Sequence, residues 1–312
     1  MKNLLKQSWQ IVRHNPILWL FGFFSAFLWT NEVNLLINNT KFFSNNLNIL
    51  LSSKILSQTI FNLDTFKKLI GHLELANFIF IFLPILVLFI LALIAQICLI
   101  KGIQDAADGQ KIIFSQSLKT VRSVFWLVFL LNIFSLAIIY LLFMILRLPF
   151  AYLFLKFSQT IWLIIYLILS LILLIPGSLV ISFVTRFAII DLITQPKNLW
   201  LSLKNAFSFF IHQWLKIIWL AIILIGIGFV FGLILFILIT TASFPFLILS
   251  NFFYYLKIPL GSWLMFSLGL LLLILLVCFL GSIFSAFQIA VWVLFFQQGC
   301  GKEVSKMSSK IC

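Results

Sequence analysis

The sequence predicts an all-α fold: a polytopic helical membrane protein of about six transmembrane helices. Three observations predict it. Of 312 residues, 63% are hydrophobic and 9% charged, against about 25% charged in soluble domains. Mean hydropathy is +1.22. Apolar runs repeatedly exceed the roughly 18 residues that mark a membrane helix. No stretch of a hundred-odd residues is free of such runs, which leaves no room for an extramembrane catalytic domain of ordinary size.

The chain opens on KNLLKQSWQIVRH, where Lys2, Lys6, Gln10 and Arg13 step by 4, 4 and 3, one face of a helix. Asn15-Pro16 then offers an N-cap and a first-turn proline. The first span is read at roughly 16 to 36, interrupted at its far end by Asn31, Glu32 and Asn34. Its basic start and the apolar run Ile17 to Trp29 resemble an export signal. No small-residue cleavage pattern follows, so an uncleaved span is expected. An outer loop over 32–75 scatters Ile, Leu and Phe among Asn, Ser and Lys, a pattern suited to amphipathic helices on the membrane surface.

Five further spans are read at roughly 76–101, 123–146, 160–188, 214–240 and 263–296, and a tail at 301–312. The fourth and sixth are longer than the roughly 20 residues a crossing needs, so each must tilt, kink or project. Pro176-Gly177 is the expected kink. With the N-terminus inside, fourteen Lys and Arg fall on the inner side and seven on the outer. That places both termini in the cytoplasm. Trp126, Trp214, Trp219 and Trp292 fall near inner span ends, and Trp29, Trp162 and Trp263 near outer ones, the headgroup level indole prefers. The formal charge of +14 is therefore mainly a topology signal that also attracts anionic lipid; no nucleic-acid partner is implied.

A repeat emerges when the N-terminus is shifted by 109 residues, laying LKQSWQIVR over FSQSLKTVR. Lys111, Ser115, Lys119 and Arg122 take the polar steps. Phe114, Leu118 and Val121 match Leu5, Trp9 and Val12, and KNLWLSLKNAF supplies Leu199, Leu203 and Ala206. Ser8, Ser117 and Ser202 align. Asp108-Gly109 makes a turn before the second copy, and Pro196 opens the third. The chain is read as one membrane domain of three units, about 1–103, 104–190 and 191–300. Each is an interfacial helix plus a two-span hairpin, so the units are parallel.

Asp105 precedes Ser117, and Asp191 precedes Ser202, by 12 and 11 positions within DAADGQKIIFSQSLKTVRS and RFAIIDLITQPKNLWLSLKNAF. Together with SWQIVRHNPILWLFG, these stretches resemble the six-span bacterial proteins grouped with the membrane domain of glycerophosphoryl diester phosphodiesterases. The resemblance implies the fold and a bacterial inner-membrane address. It transfers no catalytic residue, because the phosphodiesterase barrel has no counterpart in this chain.

The residues point to no catalytic group, cofactor or metal. His14, His72 and His212 lie far apart, and HExxH and Cys-x-x-Cys patterns are missing. Cys98 and Cys278 read as packing residues, and Cys300 and Cys312 as reduced thiols. Span centres carry Gln96, Asn132 and Gln288 but no ionisable group, unlike ion-coupled transporters. The charges of interest are near the inner surface: Arg122, Arg186, Asp105 and Asp191 are the candidate lipid-headgroup contacts. The expected function is non-catalytic organisation or handling of membrane lipid, with membrane lipids, anionic ones included, as partners. The alternative is a transporter or permease subunit for an apolar or amphipathic substrate.

Overall fold

The computed structural model describes residues 1–29, 75–110, 112, 114–156, 160–195 and 198–304. Among them every regular element is a helix: α1 (Lys2–His14), α2 (Ile17–Trp29), α3 (Leu75–Ala107), α4 (Phe114–Lys156), α5 (Thr160–Thr194), α6 (Leu199–Tyr255) and α7 (Pro259–Val304). Five carry segments long and apolar enough to cross a bilayer: Leu86–Ala107, Ser117–Leu142, Ile172–Thr194, Leu199–Tyr255 and Leu260–Gly299. Helices are the form in which a single segment satisfies its own backbone in hydrocarbon. The chain is thus a multi-pass helical membrane protein. The first expected span is represented by α2, whose 13 residues cover the described part of it. Residues 30–36 of that expected span, the outer loop up to residue 74 and the tail from residue 305 lie outside the described residues.

Two expected boundaries move. α4 runs from Phe114 straight into its span, so the second amphipathic segment is not a separate helix. In α6 the third such segment is set off from its span by a break at Gln213 (φ −123°, ψ 19°), where the span is expected to begin. Its far end passes residue 240 and continues to Tyr255. The Thr240 and Thr241 hydroxyls donate to the Phe236 and Ile237 carbonyls at 2.8 Å, and Ser243 to Thr240 O at 2.9 Å. The polar run therefore bonds to its own helix instead of ending it. Residues 214–255 extend about 63 Å at 1.5 Å per residue, beyond a hydrocarbon core of about 30 Å, so this helix tilts or projects. α5 continues through Pro176 and Gly177.

Two helix ends share one turn geometry. After α3, Gln110 N donates to Asp105 O (2.8 Å) and Gly109 N to Ala106 O (3.2 Å), with Gly109 at φ +74°. This is a Schellman cap, at the Asp108-Gly109 turn the sequence predicts. After α6 the same bonds run from Ile258 N to Phe253 O (3.1 Å) and from Lys257 N to Tyr254 O (3.0 Å), with Lys257 at φ +58°.

The chain divides into two compact units. One comprises Met1–Ala26, Ala95–Arg122 and Phe207–Cys312; the other comprises Phe27–Ile94 and Ser123–Ala206. In the first, α1 packs on α7, with Trp9 edge-on to Phe287 at 6.0 Å. Trp19 Nε1 donates to Val12 O at 2.9 Å, tying α2 to α1 across the Asn15-Pro16 break. Phe209 packs on Phe296 with centroids 4.9 Å apart. Ile97, Ile100, Ile103, Ile217 and Leu220 are fully buried. In the second unit, Phe89 meets Phe129 at 6.2 Å, Leu142 lies over Gly177, and Phe187, Ile190 and Leu192 are buried.

Candidate functional site

The candidate residues lie on three amphipathic segments, at the starts of α1 and α4 in the first unit and at the start of α6 in the second. Each buries a short polar-apolar pair one turn apart: Ser8 with Val12, Ser117 with Val121, Ser202 with Ala206. All three serines are fully buried, at 0% exposure. A small side chain lets the helix approach its neighbour closely, and the hydroxyl can return to its own helix, as Ser8 Oγ does to Leu4 O at 2.9 Å. Ser202 Oγ has no hydrogen-bond partner among the described residues.

The basic residues turn away from these buried pairs. Lys2, Lys6, Gln10 and Arg13 are exposed on α1, Lys119 and Arg122 on α4, and Lys204 on α6. The expected apolar faces are only partly those that are buried. Trp9 and Leu118 are 47% and 40% exposed; the buried residues of α1 are Leu4, Ser8 and Val12, and Trp9, edge-on to Phe287, stands beside the basic stripe. Exposed Trp126, Trp200, Trp214 and Trp219 accompany the segments, as an interfacial placement favours. Trp292, expected at the interface, is instead buried at 2% exposure.

The four singled-out charges divide between the units. In the first, Asp105 is buried and pairs with Lys101 one turn back, Nζ to Oδ1 3.0 Å. The sequence held this pair at i,i+4 spacing, yet Lys101 was no part of the expected site. Arg122 is exposed at the base of the α4 span. In the second unit, Asp191 is buried and accepts a bond from Asn205 Nδ2 at 3.4 Å. Arg186 is half-buried and lies 5.8 Å above the Phe183 ring, a cation–π placement that suits a guanidinium. Both carboxylates are buried, at 4% and 5% exposure.

His14 and His212 are exposed, each with Nδ1 2.8 Å from the carbonyl four residues back, Gln10 O and Ser208 O. Each stands just before a helix break, where an imidazole can satisfy a terminal carbonyl. His72 lies outside the described residues. Among the described residues no three His, Cys, Asp or Glu gather to hold a metal ion. No protein family, curated protein or solved structure matches the chain.

Proposed function

We propose that this protein acts without catalysis at the inner face of a bacterial inner membrane, organising or handling lipid, with both termini in the cytoplasm. The observation that carries the reading is the common layout of the three amphipathic segments, each with a buried serine one turn from a buried apolar residue, an outward basic side chain and an exposed tryptophan nearby. A basic stripe rimmed by indole suits the phosphate level of an anionic leaflet. In this reading Arg122 and Arg186 take lipid phosphate oxygens, which a planar guanidinium can bind through two donors. Asp105 serves indirectly by fixing Lys101, and Asp191 by fixing Asn205. The kinship with the six-span bacterial family and the three-unit repeat belong to the same proposal.

The test is gentle purification followed by native mass spectrometry of bound lipid, with wild type beside the Arg122→Ala, Arg186→Ala double variant. Retention of one anionic lipid class by the wild type, lost in the variant, is expected. A lipid mixture that mirrors the bulk membrane in both would overturn the reading. An apolar opening between α6 and α7, described next, favours a second reading as a transporter subunit. Substrate movement that requires a cytoplasmic ATPase would select it.

A further inference from the structure

The α6–α7 hairpin closes on itself at two levels and opens between them. At one level Phe231 stacks on Phe284 with centroids 4.5 Å apart and planes 8° from parallel, beside Gly228. At the other, Phe246 lies against Gly269 and Phe253 against Gly261, and the Ser250 and Ser262 hydroxyls are 3.0 Å apart. Between these contacts lies an opening of about 460 Å³, lined by Ala242 and Phe246 of α6 and by Leu272, Leu276 and Phe279 of α7.

Ala242 contributes only a methyl group to the lining. Pro245, inside the helix, has no N–H to donate to the Thr241 carbonyl. The lining side chains carry no donor, acceptor or charge. The hydroxyls of Thr240, Thr241 and Ser243 are taken up by carbonyls of their own helix. Exposed Trp219 stands on one side of the opening along α6, and exposed Tyr254 and Tyr255 on the other. Such residues mark headgroup levels, so the opening lies within the apolar stretch. A methylene group takes about the space of a water molecule, roughly 30 Å³, so 460 Å³ holds a chain on the order of fifteen carbons.

We infer that this opening binds one acyl chain of a membrane phospholipid, entering sideways from the bilayer. The site goes beyond the headgroup reading and requires neither Arg122 nor Arg186. The protein is reconstituted in phosphatidylethanolamine–phosphatidylglycerol vesicles with a trace of phospholipid carrying a diazirine in its acyl chain. After irradiation, the adducts are mapped by mass spectrometry. Adducts should concentrate on 242–246 and 272–279 above the lipid-exposed 229–236 stretch, and should fall about tenfold in Ala242→Phe, whose ring takes up part of the space. Ala242→Leu should lower them less, and adducts on 229–236 with unchanged melting show that each variant is folded. The Arg122→Ala, Arg186→Ala variant should retain them, which separates failure of the headgroup reading from failure of this one. Adducts no denser in the opening than on 229–236, or insensitive to both Ala242 variants, would overturn the assignment. So would capture of a polyprenyl diazirine probe alone.

Discussion

Gly22 of α2 lies directly against the main-chain carbonyl of Ser282 in α7, so close that a Cβ at this position would overlap the oxygen and sit 3.1 Å from the Ala286 Cβ. Helices in a bilayer gain little from hydrophobic burial against one another and rely on such close approach. Ser282 and Ala286, one turn apart and both buried, supply the matching small surface. Gly22→Ala should therefore cost about 1–3 kcal/mol through overpacking. Gly232, with nothing within 4 Å of its added Cβ, is the control: Gly232→Ala should gain up to about 1 kcal/mol of helix propensity. Thermal unfolding in detergent compares the two, and equal shifts would contradict the close contact.

Asp105 is 4% exposed, and its partner Lys101 keeps 22% of its side chain accessible. Removing the buried carboxylate leaves Lys101 a route to water, so Asp105→Ala should cost about 1–3 kcal/mol, less than the loss of one member of a fully enclosed pair. The double variant Lys101→Met, Asp105→Leu should recover much of that loss. A double-mutant cycle with coupling near zero would show that the pair is not a stabilising contact.

Gly109 and Lys257 occupy the same position in two Schellman caps, at φ +74° and +58°. A side chain in the left-handed region costs roughly 1–2 kcal/mol that glycine avoids. Lys257→Gly should thus stabilise the α6–α7 turn by about 1 kcal/mol, whereas Gly109→Ala should destabilise the α3 end by a similar amount. Melting midpoints of the two single variants should move in opposite directions.

Much of this architecture was legible because hydrocarbon imposes few alternatives: long apolar runs become helices, and Lys2, Lys6, Arg13 and Arg122 stay exposed. The exceptions share a cause. The span read at 214–240 stops beside Thr240, Thr241, Ser243 and Pro245, residue types that favour caps and turns in water. In hydrocarbon their hydroxyls have only their own helix carbonyls to bond, so α6 continues. The break at Gln213 carries neither glycine nor proline, and it was legible only as the change from amphipathic to continuously apolar sequence at residue 214. Trp9 reads with Leu5 and Val12 as the apolar face of α1, yet it keeps 47% exposure while the smaller Ser8 is fully buried. Asp105 looked available to lipid because nothing in a linear reading ranked Lys101 above a headgroup as its partner.

The α1 stripe gives the sharpest test of membrane-surface action. Lys2, Lys6 and Arg13 are exposed, no acidic residue stands in the first turn of α1, and Trp9 keeps 47% exposure beside them. Each cation near an anionic leaflet contributes about 1 kcal/mol, so replacing all three with glutamine should remove about 3 kcal/mol of preference for anionic over zwitterionic lipid. The buried pair Ser8 and Val12 is untouched, so α1 should remain docked on α7 and unfolding should shift little. The preference should also fade for the wild type at 1 M salt, where the screening length contracts to about 3 Å. Retention of anionic lipid is read by mass spectrometry at low and high salt. A wild type indifferent to salt, with a triple variant that matches it, would assign these cations to topology alone.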